Sequence, residues 1–511
     1  MRGLSAAGAD PKLQGKFGRL FPSLPAAKFG KTRAEEDANL QKLATAMVSS
    51  FDPPKDGADS EESGIPALYT YLGQFIDHDL TFDPDGSFQK QKDPNATVDF
   101  RTAAFDLDNV YGRGPGDQPY MYETDGKSFV LGDPLTLGSK GARDLQRNSR
   151  GRAMIGDPRN DENVIVSQFQ GLFLRFHNRM VQDYPKLGFA SLQEIVRFHY
   201  QYLIVHDFLP RIVNRRTLSD LKTNGVYDRS KLKFFTKLDS PFMPIEFSVA
   251  AYRLGHSMVR PGYRLNDATL MPIFPIPTQA KPGFPAKPGF PEGLVGLRRM
   301  ISDWGIDWGR FIDIDERSYG SKKIDNKNEV KNFRRLQFAY RIDTALVDPL
   351  GSLPLSVAGD RPLSLAFRNL KRAREFNLPS GQAVAKRMGV TVLKDNEIRI
   401  GQGVDKLPKR LRNIVQVGGK VFRNNCPLWT YILAEAMHNN QKPSPVIPVE
   451  ETGLRVTTPQ LGPVGGRIVA EVFLGLLFAD TGSYLNVKPN WKPPTGAKFA
   501  LKDFVKLALG I

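Results

Sequence analysis

Three short stretches carry side chains whose types and spacing could do chemistry. In YLGQFIDHDLTFDP, residues 71–84, Asp77, His78 and Asp79 stand side by side among apolar neighbours. On a helix Gln74 and His78, four apart, share a face, whereas Asp79 points well away from Asp77. A solvated surface helix could carry the same cluster, so the segment gains meaning only from what accompanies it. In RTAAFDLDNVYG, residues 101–112, Thr102, Ala104, Asp106 and Asp108 occupy alternate positions, which an extended or looped backbone turns the same way. A hydroxyl, a carbonyl and two carboxylates are hard oxygen donors of the kind Ca²⁺ takes six to eight of. In GDPRNDEN, residues 156–163, Arg159 and Glu162 lie three apart where a long helix begins. Capping by Asp157 and a favourable dipole contact for Glu162 account for the acids. They leave Arg159 unexplained, a cation at the wrong helix end.

Of the six histidines, His78 and His256 fall in the middle of apolar helical faces. Either one alone reads most simply as a satisfied core or surface histidine. No His-Glu-x-x-His pair and no cysteine cluster offers a zinc site. A haem asks for less: one imidazole as axial ligand and a second left uncoordinated.

The elements that must position these residues read as helices. NVIVSQFQGLFLRFHNRMVQDY places Val166, Phe169, Phe173, Phe176 and Met180 at three- and four-residue intervals. SLQEIVRFHYQYLIVHDFLP follows, with Ser191 as N-cap and Pro210 as stop. SVAAYRLGHSMVRP sets Val249, Tyr252, His256 and Val259 on one face and ends at Pro261. PLWTYILAEAM and GGRIVAEVFLGLLFAD give two further apolar helices. Residues 1–60, rich in Gly, Pro, Ala and charge, read as an irregular arm, and 61–511 as one large, mainly α domain. The tandem Lys-Pro-Gly-Phe-Pro at 281–285 and 287–291 forbids helix and central strand, so it reads as an exposed, stiff loop.

The 511 residues, 41% hydrophobic and 24% charged, have the balance of a globular chain. No apolar run is long enough to span a bilayer. The formal charge of +17 is scattered rather than gathered in a tract, which argues against a nucleic-acid-binding tail and favours encounter with small anions. Cys426 is the only cysteine, so no intrachain disulfide forms. Without disulfides and without a signal-type apolar segment near residue 1, the expected location is the cytoplasm or a signal-independent export route.

Taken in order, Gln-x-x-Asp-His-Asp, the alternating loop ending VYG, Gly-Asp-x-Arg-x-x-Glu followed by LFLRFHNRM, then YRLGHSM and LAFRNLKRAREFNLPSG resemble the mammalian-type haem peroxidases of the peroxidase–cyclooxygenase superfamily, especially its bacterial members. The resemblance covers roughly residues 65–490 and implies a large helical fold with haem between a distal and a proximal helix. It implies that His78 is the distal histidine, Arg159 the distal arginine and Gln74 the distal glutamine. It implies that His256 is the iron ligand, with Asn369 accepting its other ring N–H, and that Arg253 and Arg372 lie near the haem and its propionates. Asp79, Thr102, Ala104, Asp106 and Asp108 would bind Ca²⁺. Asp77 and Glu162 match the carboxylates that esterify haem, so a covalently held haem b derivative is expected. Asn163 stands where a methionine would form the sulfonium link, which separates the chain from the myeloperoxidase-like extreme.

The implied activity is reduction of H₂O₂ and oxidation of small organic donors, halides or thiocyanate through an oxoferryl intermediate. The nearest rival is a haem-dependent fatty-acid dioxygenase of the same superfamily, whose tyrosine three residues before the proximal histidine is replaced here by Arg253, with Tyr252 one step further back. A non-catalytic haem-binding or adhesion module is the third reading, and it would have no need of Gln74, His78 and Arg159 together.

Overall fold

The computed structural model describes residues 14–81, 98–276, 292–403, 410–439, 441–443 and 449–511. It is 43% helix and 10% strand, a mainly α architecture in which the sheets are small pairings between distant segments. The N-terminal part contains β1 (Gln14–Gly18), α1 (Arg33–Ala46), β2 (Glu62–Pro66), α2 (Leu68–Leu80) and β3 (Val98–Thr102). The centre holds α3 (Val164–Asp183), α4 (Phe189–Leu203) and α5 (Gly255–Met258). Then come β4 (Phe338–Tyr340), α6 (Leu365–Glu375), α7 (Leu428–Asn439), α8 (Pro463–Ala479) and α9 (Leu501–Leu509). None of the described helices is long and apolar enough to cross a membrane. The tandem Lys-Pro-Gly-Phe-Pro lies outside the described residues.

The apolar spacing in α3 buries Val166, Phe169, Phe173, Phe176 and Met180. Phe173 stacks face to face on Phe75 of α2 at 4.3 Å and packs against Phe504 of α9 at 4.6 Å. Three helices thus share one aromatic seam, the large apolar area that holds α2 in place. Asn163 caps α3, its Oδ1 accepting from Ile165 N at 3.1 Å and Val166 N at 2.9 Å.

Three sequence expectations differ from the structure. The first sixty residues are not wholly irregular: α1 forms behind Thr32, whose hydroxyl accepts from Glu35 N, and buries Leu40, Leu43 and Ala44. α4 is capped at Gly188 rather than Ser191, and Pro210 does not stop it. A wide π turn over Ile204–Phe208 leads into Leu209–Ile212, absorbing a proline that has no N–H to give. Nor is the segment holding His256 one helix. It runs as a π turn (Glu246–Ala250), a 3₁₀ turn (Ala251–Leu254) and then α5, leaving Val259 extended. Bonds from elsewhere and within interrupt it: the buried Glu246 carboxylate accepts from the distant Leu20 N and Phe21 N, and locally Arg253 Nε donates to the Ser248 carbonyl at 2.8 Å.

β2, just ahead of α2, pairs antiparallel with β4, Glu62 opposite Tyr340. The Glu62 carboxylate is buried and accepts from Arg335 at 2.7 and 2.6 Å and from Arg260, which follows α5. Arg260 also donates to the Phe338 carbonyl at 2.9 Å. The chain entering α2 and the chain leaving α5 are therefore tied at one buried ion cluster. Glu62→Gln leaves two enclosed guanidiniums without their counter-charge and is expected to cost about 3–5 kcal/mol. The urea midpoint reads this directly, and an unchanged midpoint would contradict the clamp.

Candidate active site

A cavity of about 610 Å³ opens between α2, the turn before α3, the α5 segment and α6. Its walls include Gln74, Asp77, His78, Arg159 and Glu162, and also Arg253, His256 and Arg372. Residues spread over three hundred positions of sequence thus meet around one space.

His78 projects from α2 and is almost fully buried. Its Nδ1 lies 2.7 Å from Asn160 Oδ1, while Asn160 Nδ2 donates to Gln170 Oε1 at 2.8 Å. The amide oxygen can only accept, so Nδ1 carries a proton, and in the neutral ring the lone pair is on Nε2. That nitrogen lies 3.6 Å from Glu162 Oε1. Gln74 Nε2 donates to the same carboxylate oxygen, and Asn163 Nδ2 donates to Gln74 Oε1 at 3.2 Å.

Arg159 stands in a 3₁₀ turn, Pro158–Asp161, rather than inside α3. Asp157, fully buried, accepts from its backbone N at 2.8 Å, from Nε at 3.2 Å and from Nη2 at 2.8 Å. Nη2 also donates to the His78 carbonyl at 2.8 Å. The guanidinium is fixed from behind and fastened to the backbone of the very residue whose imidazole shares its cavity.

On the α5 side, Asn369 Nδ2 lies 2.8 Å from His256 Nδ1. A ring whose Nε2 is to act as a ligand carries its proton on Nδ1. The amide then turns its oxygen to that proton, since its two ends are distinguished only by the partner they meet. Burial, and next the Arg253 charge, hold the His256 pKa down to about 3, so the ring is neutral and available to a metal. Arg253 Nη1 is 3.6 Å from Asp77 Oδ2. Arg372 and Arg368 line the same wall, Arg368 donating to the Asp360 carbonyl at 2.9 Å.

Behind α2, oxygens of Asp79, Asp106 and Asp108 lie within 4.8 Å of one another. Leu107 between them adopts φ 61°, the left-handed turn that lets flanking carboxylates converge. Ala104 is buried beside them, and the side chain of Thr102 lies outside the described residues.

Comparison with known proteins fits this arrangement. The family described as animal haem peroxidase matches residues 86–280. Peroxidasin of Drosophila melanogaster is 23% identical over 270 residues, 51% of this chain and 15% of that protein. A peroxidase-like protein of Margaritifera margaritifera is 33% identical over 115 residues, 20% of this chain and 14% of its own length. The chain thus spans about one seventh of the curated relatives it matches. In fold it is similar to peroxidase A of Dictyostelium discoideum, with TM-score 0.58, 14% identity and coverage of 99% and 96% of the two chains. It is also similar to a fatty acid alpha-dioxygenase of Oryza sativa, with TM-score 0.52, 16% identity and coverage of 92% and 75%. Together these similarities support the peroxidase–cyclooxygenase superfamily.

The matched animal haem peroxidase family implies a porphyrin, and the cavity's donor set fits one. It offers a neutral imidazole at the α5 wall, a second imidazole at the α2 wall, and the guanidiniums of Arg253, Arg368 and Arg372 in its lining. Sequence reasoning missed Asn160, the partner that decides the His78 tautomer, and the second role of Asp157. Asn160 lies in the 3₁₀ turn and Asp157 caps it, where no periodicity marks a side chain's direction. Asn160→Leu is expected to slow peroxide consumption by the haem-loaded protein roughly 10–100-fold, and Asn160→Gln, which keeps a neutral amide acceptor, to slow it less. Equal rates in all three proteins would exclude a role for this bond.

Proposed function

We propose that this chain is a haem peroxidase that reduces H₂O₂ and oxidises small organic donors or anions. The observation that carries the reading is the bond from His78 Nδ1 to Asn160, which makes Nε2 the acceptor nitrogen of the neutral ring, in the cavity that His256 and Arg159 share. Haem, when bound, would supply the two-electron redox chemistry between peroxide and a donor. His256 Nε2 would hold the iron, with Asn369 keeping that ring oriented. Arg253 and Arg372 would pair with the propionates, and Asp77 and Glu162 are the carboxylates that would tether the group. His78 Nε2 takes the proton from the near oxygen of H₂O₂ and returns it to the far oxygen, which leaves as water. Arg159, already fixed by Asp157, opposes the negative charge that develops as the O–O bond opens. Gln74 positions the small polar molecule beside that nitrogen. Asp79, Asp106 and Asp108, with Thr102 and the Ala104 carbonyl, hold Ca²⁺ on the other side of α2, which relieves three crowded carboxylates and stiffens the helix carrying His78.

Tyr252 supports the second reading, a fatty-acid dioxygenase. It lines the cavity, and among the described residues its hydroxyl has no hydrogen-bond partner. Arg253 occupies the position such enzymes give to tyrosine, which favours the peroxidase. His78→Ala is expected to slow peroxide consumption by about 10²–10⁴-fold with haem still bound, measured by stopped-flow on the loaded protein. An unchanged rate, or hydroperoxide formed from linoleate and O₂ without added peroxide, would defeat the proposal.

A further inference from the structure

Five described residues other than glycine adopt positive φ, and three of them are asparagines, which tolerate it. The other two are leucines. Leu107 is buried and shapes the carboxylate loop, whereas Leu297, at φ 58°, is 62% exposed and lines the mouth of the cavity. A leucine in a left-handed conformation that gains no burial from it is a local cost with no packing return.

The backbone around Leu297 is nonetheless held tightly. Leu297 N donates to the Asp161 carbonyl at 2.6 Å, Gly296 N to the Glu162 carbonyl at 3.0 Å, and Val164 N to the Leu294 carbonyl at 2.9 Å. Gly296 is obligatory in this fit, because a Cβ there would collide with the Asp161 carbonyl oxygen. On the far side Arg298 lies over Trp304 at 5.2 Å, and Met300 N donates to Asp144 at 2.9 Å. This strap is therefore bonded to the same turn, Pro158–Asp161, that carries Arg159 and Asn160. Its geometry presents one apolar side chain at the cavity entrance, at a fixed offset from the groups that handle peroxide. Val357, 44% exposed, is another apolar side chain on the same cavity's lining.

We infer that Leu297 is a specificity-determining contact for the electron donor, and that the donor it selects is a small aromatic molecule, a phenol or an aniline, rather than an inorganic anion. An aromatic ring resting at the mouth would cover the exposed side chain, whereas a hydrated halide gains nothing from apolar surface. The contact sits outside the proton-transfer groups, so it governs donor capture and leaves the peroxide step alone. This inference rests on the peroxidase reading given above, which leaves the donor open between organic molecules and anions.

The test is Leu297→Asn, which keeps a residue tolerant of positive φ while removing the apolar surface. Two donors are compared on the haem-loaded protein, p-cresol and iodide, with p-cresol affinity also measured by titration in the absence of peroxide. The variant should raise KM for p-cresol and weaken its binding on the order of tenfold. The KM for iodide, the rate of peroxide consumption under donor saturation and the melting temperature should stay at parent values or, for melting, rise. An unchanged p-cresol affinity, or an equal loss for both donors, would overturn the inference. A parent protein that binds haem and p-cresol yet consumes no peroxide would instead defeat the peroxidase reading, with the binding comparison still deciding the role of Leu297.

Discussion

The site depends on holding two imidazoles, from segments far apart in sequence, in one cavity without letting either turn. The buried Glu62 carboxylate contributes most to the first requirement. It accepts from Arg335 and Arg260, joining the strand that enters α2 to the chain that leaves α5. One carboxylate and two guanidiniums inside a protein are tolerable only when nearly every donor is matched, and here the Phe338, Gly57 and Tyr319 carbonyls take further N–H groups. Such a cluster has little freedom to slide. The distance between the α2 and α5 walls is then set by bonds rather than by packing alone.

Orientation comes from amides. Asn160 and Asn369 each sit against an Nδ1, one for each imidazole. An amide adds no charge, so it fixes a tautomer without raising the ring's affinity for a proton as a carboxylate would. The two histidines nevertheless end in different circumstances. His78 shares its space with Glu162 and Gln74. His256 is buried, with Arg253 close by, and stays neutral.

Helix α3 was legible because its apolar residues recur at the helical period over twenty positions and all meet one aromatic seam. The candidate site was legible through residue types in order, Gln74 with His78, then Arg159 with Glu162, then His256 and Asn369. Arg159 looked misplaced because the helix was taken to begin before it. In the structure Asn163 is the cap, and the arginine belongs to the preceding turn, where Asp157 neutralises it. Breaks in the segment before His256 could not be read, since they arise from Glu246 holding Leu20 and Phe21, more than two hundred positions away. Helix α1 had a local signal, Thr32 ahead of Glu35, that the surrounding glycines and prolines obscured. Asn160 left no sign in the sequence, because its role is a single hydrogen bond made across the fold.

The central claim is that His256 supplies the axial nitrogen to a porphyrin in this cavity. The most direct measurement is the absorption spectrum of the chain after loading with haem, taken beside His256→Ala with and without added imidazole. The account predicts an intense Soret band in the parent, a shifted and weakened band or loss of haem in the variant, and recovery of the parent band when imidazole is supplied. A colourless parent after loading, or a variant whose spectrum matches the parent before any imidazole is added, would contradict it.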